Sequence, residues 1–567
     1  MWPYYDAIRA GASAVMCSLQ RINGSYACQN SKALNGLLKT ELGFQGFVMS
    51  DWWAHFSGVG SLEAGLDMDL PGSIFPATPN AAGDAYLAYF GGNITIGVNN
   101  GTIDIARVDD MIARIMTPYF ALHQDEDFPS VDPSSAPLAS FSPPNTWFRE
   151  WNLTGPSSRD VRDNHGDLIR RHAASSTVLL KNERNALPLR SPRRIAVFGN
   201  DATDVTEGPL NQSPFEFGTL AVGGGSGAAR FSYLVSPLEA LKIKAREDDI
   251  LVETYLNNTF VANTNISRVW NPYVPDVCLV FLKGWASEAY DRLTLDLEWR
   301  ANDVVESVAN ACNNTVVVTH SGGTDNLPFA SHPNVTAILI AHYPGQESGN
   351  SIVDVLWGDV NPAGRLPYTI AQNESDWSFA PITTDVLTTG IDDWQSYFTE
   401  GLYTDYKYFD ANNVDVLYEF GFGLSYTTFS MFNLAVTRVN PNATIDSVPE
   451  DLPIVPGGNP ALWEPLFSAE VTVRNTGDVR GATVAQLYIT LPDSAPSGTP
   501  IRSLRGFDKV ELAPGQRRQA RFELLRRDIS YWDVASQNWL IPEGEFTISV
   551  GFSSRDLVEV ATFTALG

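Results

Sequence analysis

Apolar and polar positions alternate in three distinct rhythms along this chain. In the first 125 residues, short apolar runs such as Ala12–Met16, Phe47–Met49 and Gly65–Leu70 read as strands. The stretches "SKALNGLLKTEL" and "TIDIARVDDMIARIM" carry helical spacing between and after them. Strand alternating with helix predicts parallel β/α architecture. A second such region is opened by "VRDNHGDLIRRHAASSTVLL", read as a helix, and holds "RIAVFGN", "DVCLVFLKG", "NTVVVTHS" and "VTAILIAHY". Continuous apolar runs of that length suit strands of a sheet covered on both faces. From about residue 430 the period becomes two. "LFSAEVTVRNTG", "TVAQLYITLP", "QARFELLRRDI" and "EFTISVGFS" alternate between Gly/Pro turns, as in an antiparallel sandwich of immunoglobulin or fibronectin type.

The expected organisation is therefore multidomain α/β plus all-β. A barrel-type β/α part covers 1–125, a Pro- and Ser-rich linker 126–160, an α/β sandwich domain 161–375, a connecting segment 376–428 and a β-sandwich 429–567. The chain's 567 residues exceed what one core supports, and 44% hydrophobic content describes a folded protein. No apolar run reaches the length of a membrane span. A net charge of −27 argues against nucleic acid and anionic membranes as partners and leaves an uncharged ligand as the better fit.

Sequons start at Asn23, Asn93, Asn100, Asn152, Asn211, Asn257, Asn265, Asn313, Asn334, Asn373 and Asn442, a density that suits a secreted protein carrying N-linked glycans. The start, "MWPYYDAIRAG", lacks the apolar core of a signal peptide. The four cysteines fall as Cys17 with Cys28, able to close a short loop, and Cys278 with Cys312, able to join neighbouring strands. Neither pair has the spacing of a zinc or redox motif. The histidines show no ligand spacing either, so neither metal nor cofactor is expected. "GGGSGA" (Gly223–Ala228) imitates a dinucleotide fingerprint but follows no strand, and it is out of register for a hydrolase elbow.

Carboxylates remain as candidate chemistry. In "FVMSDWWAHFSG" an apolar strand runs straight into Asp51 and adjacent indoles. A turn-capping aspartate and core tryptophans are the plain reading. The functional one is a strand-end carboxylate beside an aromatic platform for a sugar ring. The stretch "ELGFQGFVMSDWWAHFSGVGSLEAGLDMDLPG" resembles the signature of glycoside hydrolase family three, in particular its fungal β-glucosidases. So do "SSTVLLKNERNALPL", "GGGSGAARFSYLVSPLEAL", "PGQESGNSIVDVLWGDVNPAGRLPYT" and "YEFGFGLSYTTF". The likeness runs nearly end to end.

The resemblance implies a (β/α)8-type barrel, an α/β sandwich and a fibronectin type III-like domain. It implies a retaining β-glucosidase releasing terminal glucose from cellobiose, cello-oligosaccharides or aryl glucosides, without a cofactor. Asp51 would be the nucleophile, Trp52 and Met16 would line the sugar subsite, and Glu288 in "ASEAYDR" would be the acid/base. Glu347 in "PGQESG" is second in line and reads as a structural hydrogen-bonder, and His55 as a polar contact rather than a base. Two departures stand out. Leu19 in "CSLQ" replaces the family's tyrosine, a hydrogen-bond donor to the nucleophile. The family's hydroxyl-binding aspartate, arginine and Lys-His pair would lie ahead of the W-P segment at the start, so a chain lacking most of the barrel is expected. The alternatives are a β-xylosidase and a non-catalytic carbohydrate-binding protein.

Overall fold

A computed structural model describes residues 1–74, 87–128, 160–207, 214–228, 231–270, 273–288, 292–378 and 397–567. The expected linker thus lies almost wholly outside the described residues, as does much of the connecting segment. The chain divides into two compact units. One comprises Met1–Asp163 with Pro449–Glu464, the other Asn164–Val448 with Pro465–Gly567.

In the first unit, β1 (Ala14–Cys17) and β2 (Phe47–Ser50) pair in parallel from Ala14↔Phe47 to Cys17↔Ser50. The third strand-like run contributes only a parallel bridge, Met49↔Met68. Its two carboxylates, Asp67 and Asp69, are drawn into local pairing described below. Helix Lys32–Glu41 winds in the wide i→i+5 register and packs Leu34 and Leu38 inward. Helix α1 (Ile105–Ala121) begins at Asp104, whose side chain accepts the Ala106 N–H at 2.9 Å. That bond satisfies one of the donors a helix start leaves open. A disulfide joins Cys17 at the end of β1 to Cys28.

The second unit opens with α2 (His165–Ser176), and here the structure departs from the sequence reading. The helix stops at Ser176 and "VLL" belongs to β3 (Val178–Asn182). Val178 and Leu179 find wholly buried places on the sheet, and that tertiary burial outweighs the helical spacing. Then follow β4 (Arg194–Phe198), α3 (Pro237–Glu247), β5 (Leu251–Tyr255), β6 (Val277–Gly284), α4 (Ala301–Ala309), β7 (Thr315–Ser321), β8 (Val335–Ile340) and α5 (Ser348–Trp357). The sheet order is β3-β8-β7-β6-β4-β5. Strands β4 to β8 run parallel and β3 pairs antiparallel to β8.

Alternate residues of one strand feed two different cores. Cys278, Val280 and Leu282 face Phe198, Trp270 and Val305 on one side of the sheet. Val277, Leu279 and Phe281 face Leu241, Val318 and Leu356 on the other. A two-residue period with both faces covered makes β6 apolar from Val277 to Leu282, which is why it reads as an unbroken run. The Cys278–Cys312 disulfide ties β6 to the turn after α4, not to a neighbouring strand.

The C-terminal strands form two facing antiparallel sheets. One holds β9 (Phe429–Arg438), β10 (Pro465–Asn475) and β13 (Arg517–Leu525), in the order β9-β10-β13. The other has the order β12-β11-β14-β15, from β11 (Gly481–Thr490), β12 (Ser503–Leu512), β14 (Glu545–Gly551) and β15 (Leu557–Thr564). Val471, Leu487, Val510, Phe522, Phe546 and Ile548 fill the space between them. Among the described residues no helix is long and apolar enough to cross a membrane.

Candidate active site

Three aspartates lie along the parallel segments of the first unit, Asp67 level with Val48 and Asp51 just past the end of β2, and their surroundings separate them. Asp67 is saturated. One oxygen takes Lys39 Nζ at 2.9 Å and Arg107 Nη2 at 2.8 Å, and the other takes the Val48 N–H at 2.8 Å. Burial pushes the Lys39 ammonium down to about 8 against the pull of Asp67. Asp69 faces the buried His55, whose Nδ1 lies 3.1 Å away, and the imidazole is wedged against Tyr89 and Phe90. Of these two, Asp67 holds the fold.

Asp51 is different. Its backbone is fixed at both ends: its N–H donates to Cys17 O at 2.9 Å, and its carbonyl accepts the Ala54 N–H at 3.0 Å. Its carboxylate accepts from Trp52 N at 2.6 Å, the amide of the next residue. The main chain that carries Asp51 is rigid while its carboxylate is left half-buried and open to a ligand. Trp52 is 49% exposed and meets Trp53 edge to face, with centroids 6.5 Å apart. Trp53 takes a positive φ of 60°, so the turn sends the two indoles different ways. Met16 is exposed on β1, opposite Met49 in register. Leu19 follows β1 with its side chain exposed and offers Asp51 no donor.

Glu288 lies in the second unit, on the loop that leaves β6. The sheet end beneath it is heavily braced. Lys283 is buried with Nζ donating to Gly218 O at 2.7 Å, 4.3 Å from the Phe215 ring centroid and 5.0 Å from that of Trp299. Burial pushes it down to about 8. Asp201, just past β4, accepts the Leu220 N–H at 2.8 Å and contacts His320 Nδ1. Asp325 receives Ser321 Oγ and Arg292 Nη2, each at 2.9 Å, and burial raises it to about 6. Trp285 N donates to Glu298 Oε2 at 2.6 Å, fixing the exit of β6. The carboxyl ends of parallel strands, where the order reverses between β4 and β6, are where open α/β sheets place ligands.

The "GGGSGA" stretch, discounted as a nucleotide motif, lies directly against the Glu288 loop. Gly224 bridges Ser287 in parallel and donates its N–H to Ala286 O at 3.2 Å. Ser226 N donates to Glu288 Oε2 at 2.6 Å. Ser226, through its side chain first and this N–H second, holds the exposed Glu288 carboxyl below its usual range, the opposite of the upward displacement a general acid needs. Glu347 is buried with both oxygens engaged, by Tyr233 OH and by Asn350 Nδ2 at 2.7 Å. Among the described residues no three histidine, cysteine or carboxylate groups converge as a metal would require.

A parallel β/α part with a strand-end carboxylate, an α/β sheet and a β-sandwich are the components of a glycoside hydrolase. The chain belongs to glycosyl hydrolase family 3: that family's N-terminal domain matches residues 1–117 and its C-terminal domain residues 177–426. A fibronectin type III-like domain matches residues 483–554. The chain is 64% identical over 567 residues to a probable beta-glucosidase G of Aspergillus flavus, covering 100% of this chain and 68% of that protein. It is 37% identical to the solved beta-D-glucoside glucohydrolase of Trichoderma reesei, with a TM-score of 0.86 over 99% of this chain and 74% of that one. A beta-glucosidase structure from Neurospora crassa superposes with a TM-score of 0.87 at 36% identity, over 99% of this chain and 75% of that one.

Proposed function

We propose that this glycoside hydrolase is a retaining β-glucosidase in which Asp51 is the nucleophile and Glu288 the acid/base. In the first step Asp51 attacks the anomeric carbon while Glu288 gives its proton to the departing glycosidic oxygen. In the second, Glu288 takes a proton from water, whose oxygen displaces the Asp51 ester and releases glucose. The observation that carries the reading is the contrast among these three aspartates. Asp67 is consumed by cationic partners and Asp69 faces the buried His55, whereas Asp51 takes the Trp52 backbone N–H and precedes an indole that is exposed. An apolar ring face with a carboxylate at its edge suits a pyranose. Met16, exposed on the adjacent strand, lines the same subsite.

The names of the relatives support glucose over xylose as the sugar. The two disulfides and the exposed sequon asparagines Asn23, Asn265, Asn313 and Asn442 support a secreted, N-glycosylated protein acting on cello-oligosaccharides outside the cell. The test is to give cellobiose and an aryl β-xyloside to the protein as its own cells produce it, and to follow the first product by NMR. Glucose released first as the β-anomer is the expected result. Release of the α-anomer, or faster release of xylose, would refute it.

A further inference from the structure

The three consecutive glycines before Ser226 have no role in the chemistry above, yet each is pressed against a neighbour. A Cβ on Gly223 would sit 3.1 Å from the Tyr343 ring, and one on Gly224 2.5 Å from Ser287 Oγ. Gly225 has φ +95°, and a Cβ there would lie 2.4 Å from Glu288 Cβ. The segment therefore approaches the acid/base loop as bare backbone. Its last contact is the 2.6 Å bond from Ser226 N to Glu288 Oε2. Glycine is required here because the backbone must come this close and because one position needs the left-handed region.

We propose that Gly223–Ser226 is a positioning latch for Glu288: Ser226, through its N–H and its hydroxyl, holds the carboxylate in place in its ionised form and loosens when the carboxyl takes up its proton. This rests on the assignment of Glu288 as acid/base. A backbone N–H is a donor only, so it favours the carboxylate and opposes the carboxylic acid. The latched state is the base form, ready to take a proton from water in the second step. The unlatched state carries the proton that the leaving oxygen receives in the first. The downward displacement of Glu288 agrees with this: its cause is Ser226, opposed by desolvation, with no ionic neighbour contributing among the described residues. Among the described residues Ser226 alone accounts for the hold on this exposed carboxylate, through its side chain and its N–H.

Two measurements test the latch. Ser226→Pro deletes the N–H, whereas Ser226→Ala keeps it. The alkaline limb of kcat/KM for an aryl glucoside reports the acid in the free enzyme. Ser226→Pro, which removes both the N–H and the hydroxyl, is expected to move that limb up by about one pH unit, the size of one hydrogen bond to a charged group, and Ser226→Ala, which removes the hydroxyl and keeps the N–H, to move it by less. The second measurement needs no folded Pro variant. In Glu288→Ala, hydrogen exchange of the peptide covering residues 223–228 should quicken by about tenfold, because its acceptor is gone. An unmoved limb, or unchanged exchange, overturns the latch. If Glu288→Ala loses activity equally on good and poor leaving groups, the acid/base assignment beneath it has failed instead.

Discussion

Lys39 Nζ and Asp67 Oδ1 stand 2.9 Å apart in the interior of the first unit, and the same oxygen also takes Arg107. Through its other oxygen Asp67 holds the Val48 amide, three residues ahead of Asp51 in the chain. Asp67→Ala would leave the buried Lys39 ammonium without its counter-ion, remove one of Arg107's two carboxylate partners and free the Val48 amide. A loss of about 3–5 kcal/mol is expected, the range for breaking a buried ion pair from one side. Hydrogen exchange of peptides spanning residues 39–70 checks it, and wild-type protection in the variant would contradict it.

Asp51 should be the residue that carries the sugar. A 2-fluoroglucoside inactivator traps the glycosyl ester by slowing the second step, so the peptide containing Asp51 should gain the label in mass spectra. Asp51→Asn should abolish labelling and lower turnover by a thousandfold or more, on the order seen when a covalent nucleophile is removed. Label on Asp67, Asp69 or another carboxylate would refute the assignment.

Removal of Glu288 should hurt in proportion to the leaving group's need for a proton. Glu288→Ala is expected to lose about 10²–10⁴-fold on cellobiose, the usual worth of general acid catalysis. An activated aryl glucoside should lose far less in its first step, and added azide should restore its turnover as a glucosyl azide. Steady-state rates on the two substrates, with and without azide, decide the matter. If azide has no effect and the losses are equal, Glu347 is the residue to test next.

Acid stability should depend on His342. Burial, with His320 nearby, pushes it down to about 4 from 6.5, and its Nε2 pairs with Tyr368 OH at 3.1 Å. A folded value below the unfolded one means the contribution is full above pH 6.5 and is lost as pH falls toward 4. Asp325, raised to about 6, works in the opposite sense over nearly the same window. The informative quantity is therefore the difference between wild type and His342→Gln. Urea midpoints should show the wild type losing more stability than the variant between pH 6.5 and 4. Parallel curves would contradict this.

Much of this architecture can be read from the chain because burial leaves its period in the residues. The apolar runs now seen in β6, β7 and β8 are covered on both faces and so are unbroken, and the sandwich strands are covered on one face and so alternate. What escaped has physical causes too. β3 was hidden because Val178 and Leu179 continue a helical spacing, and only the partner strand β8 makes them a strand. β5 was missed as an exposed edge, with Leu251 and Thr254 facing solvent. Asp51 stood out because it ends an apolar run beside indoles. The anchoring work of Asp67 is set by Lys39 and Arg107, 28 and 40 residues away, which no local pattern reveals. The partnership between "GGGSGA" and Glu288 spans 62 residues. Its one local signal was the run of glycines, which points to close backbone approach and not to what is approached.

The glycines beside Glu288 also decide where this enzyme can be redesigned. A mutant library aimed at new aglycones would naturally randomise residues 223–228, since they flank the acid/base. Positions 224 and 225 should return almost nothing but the parent glycine, because every other residue adds an atom where Ser287 or Glu288 already stands. Gly227, two residues further on, has no heavy atom of the described residues within 4 Å of where a Cβ would go. It is the place in that loop where a new side chain can be added without disturbing the carboxylate.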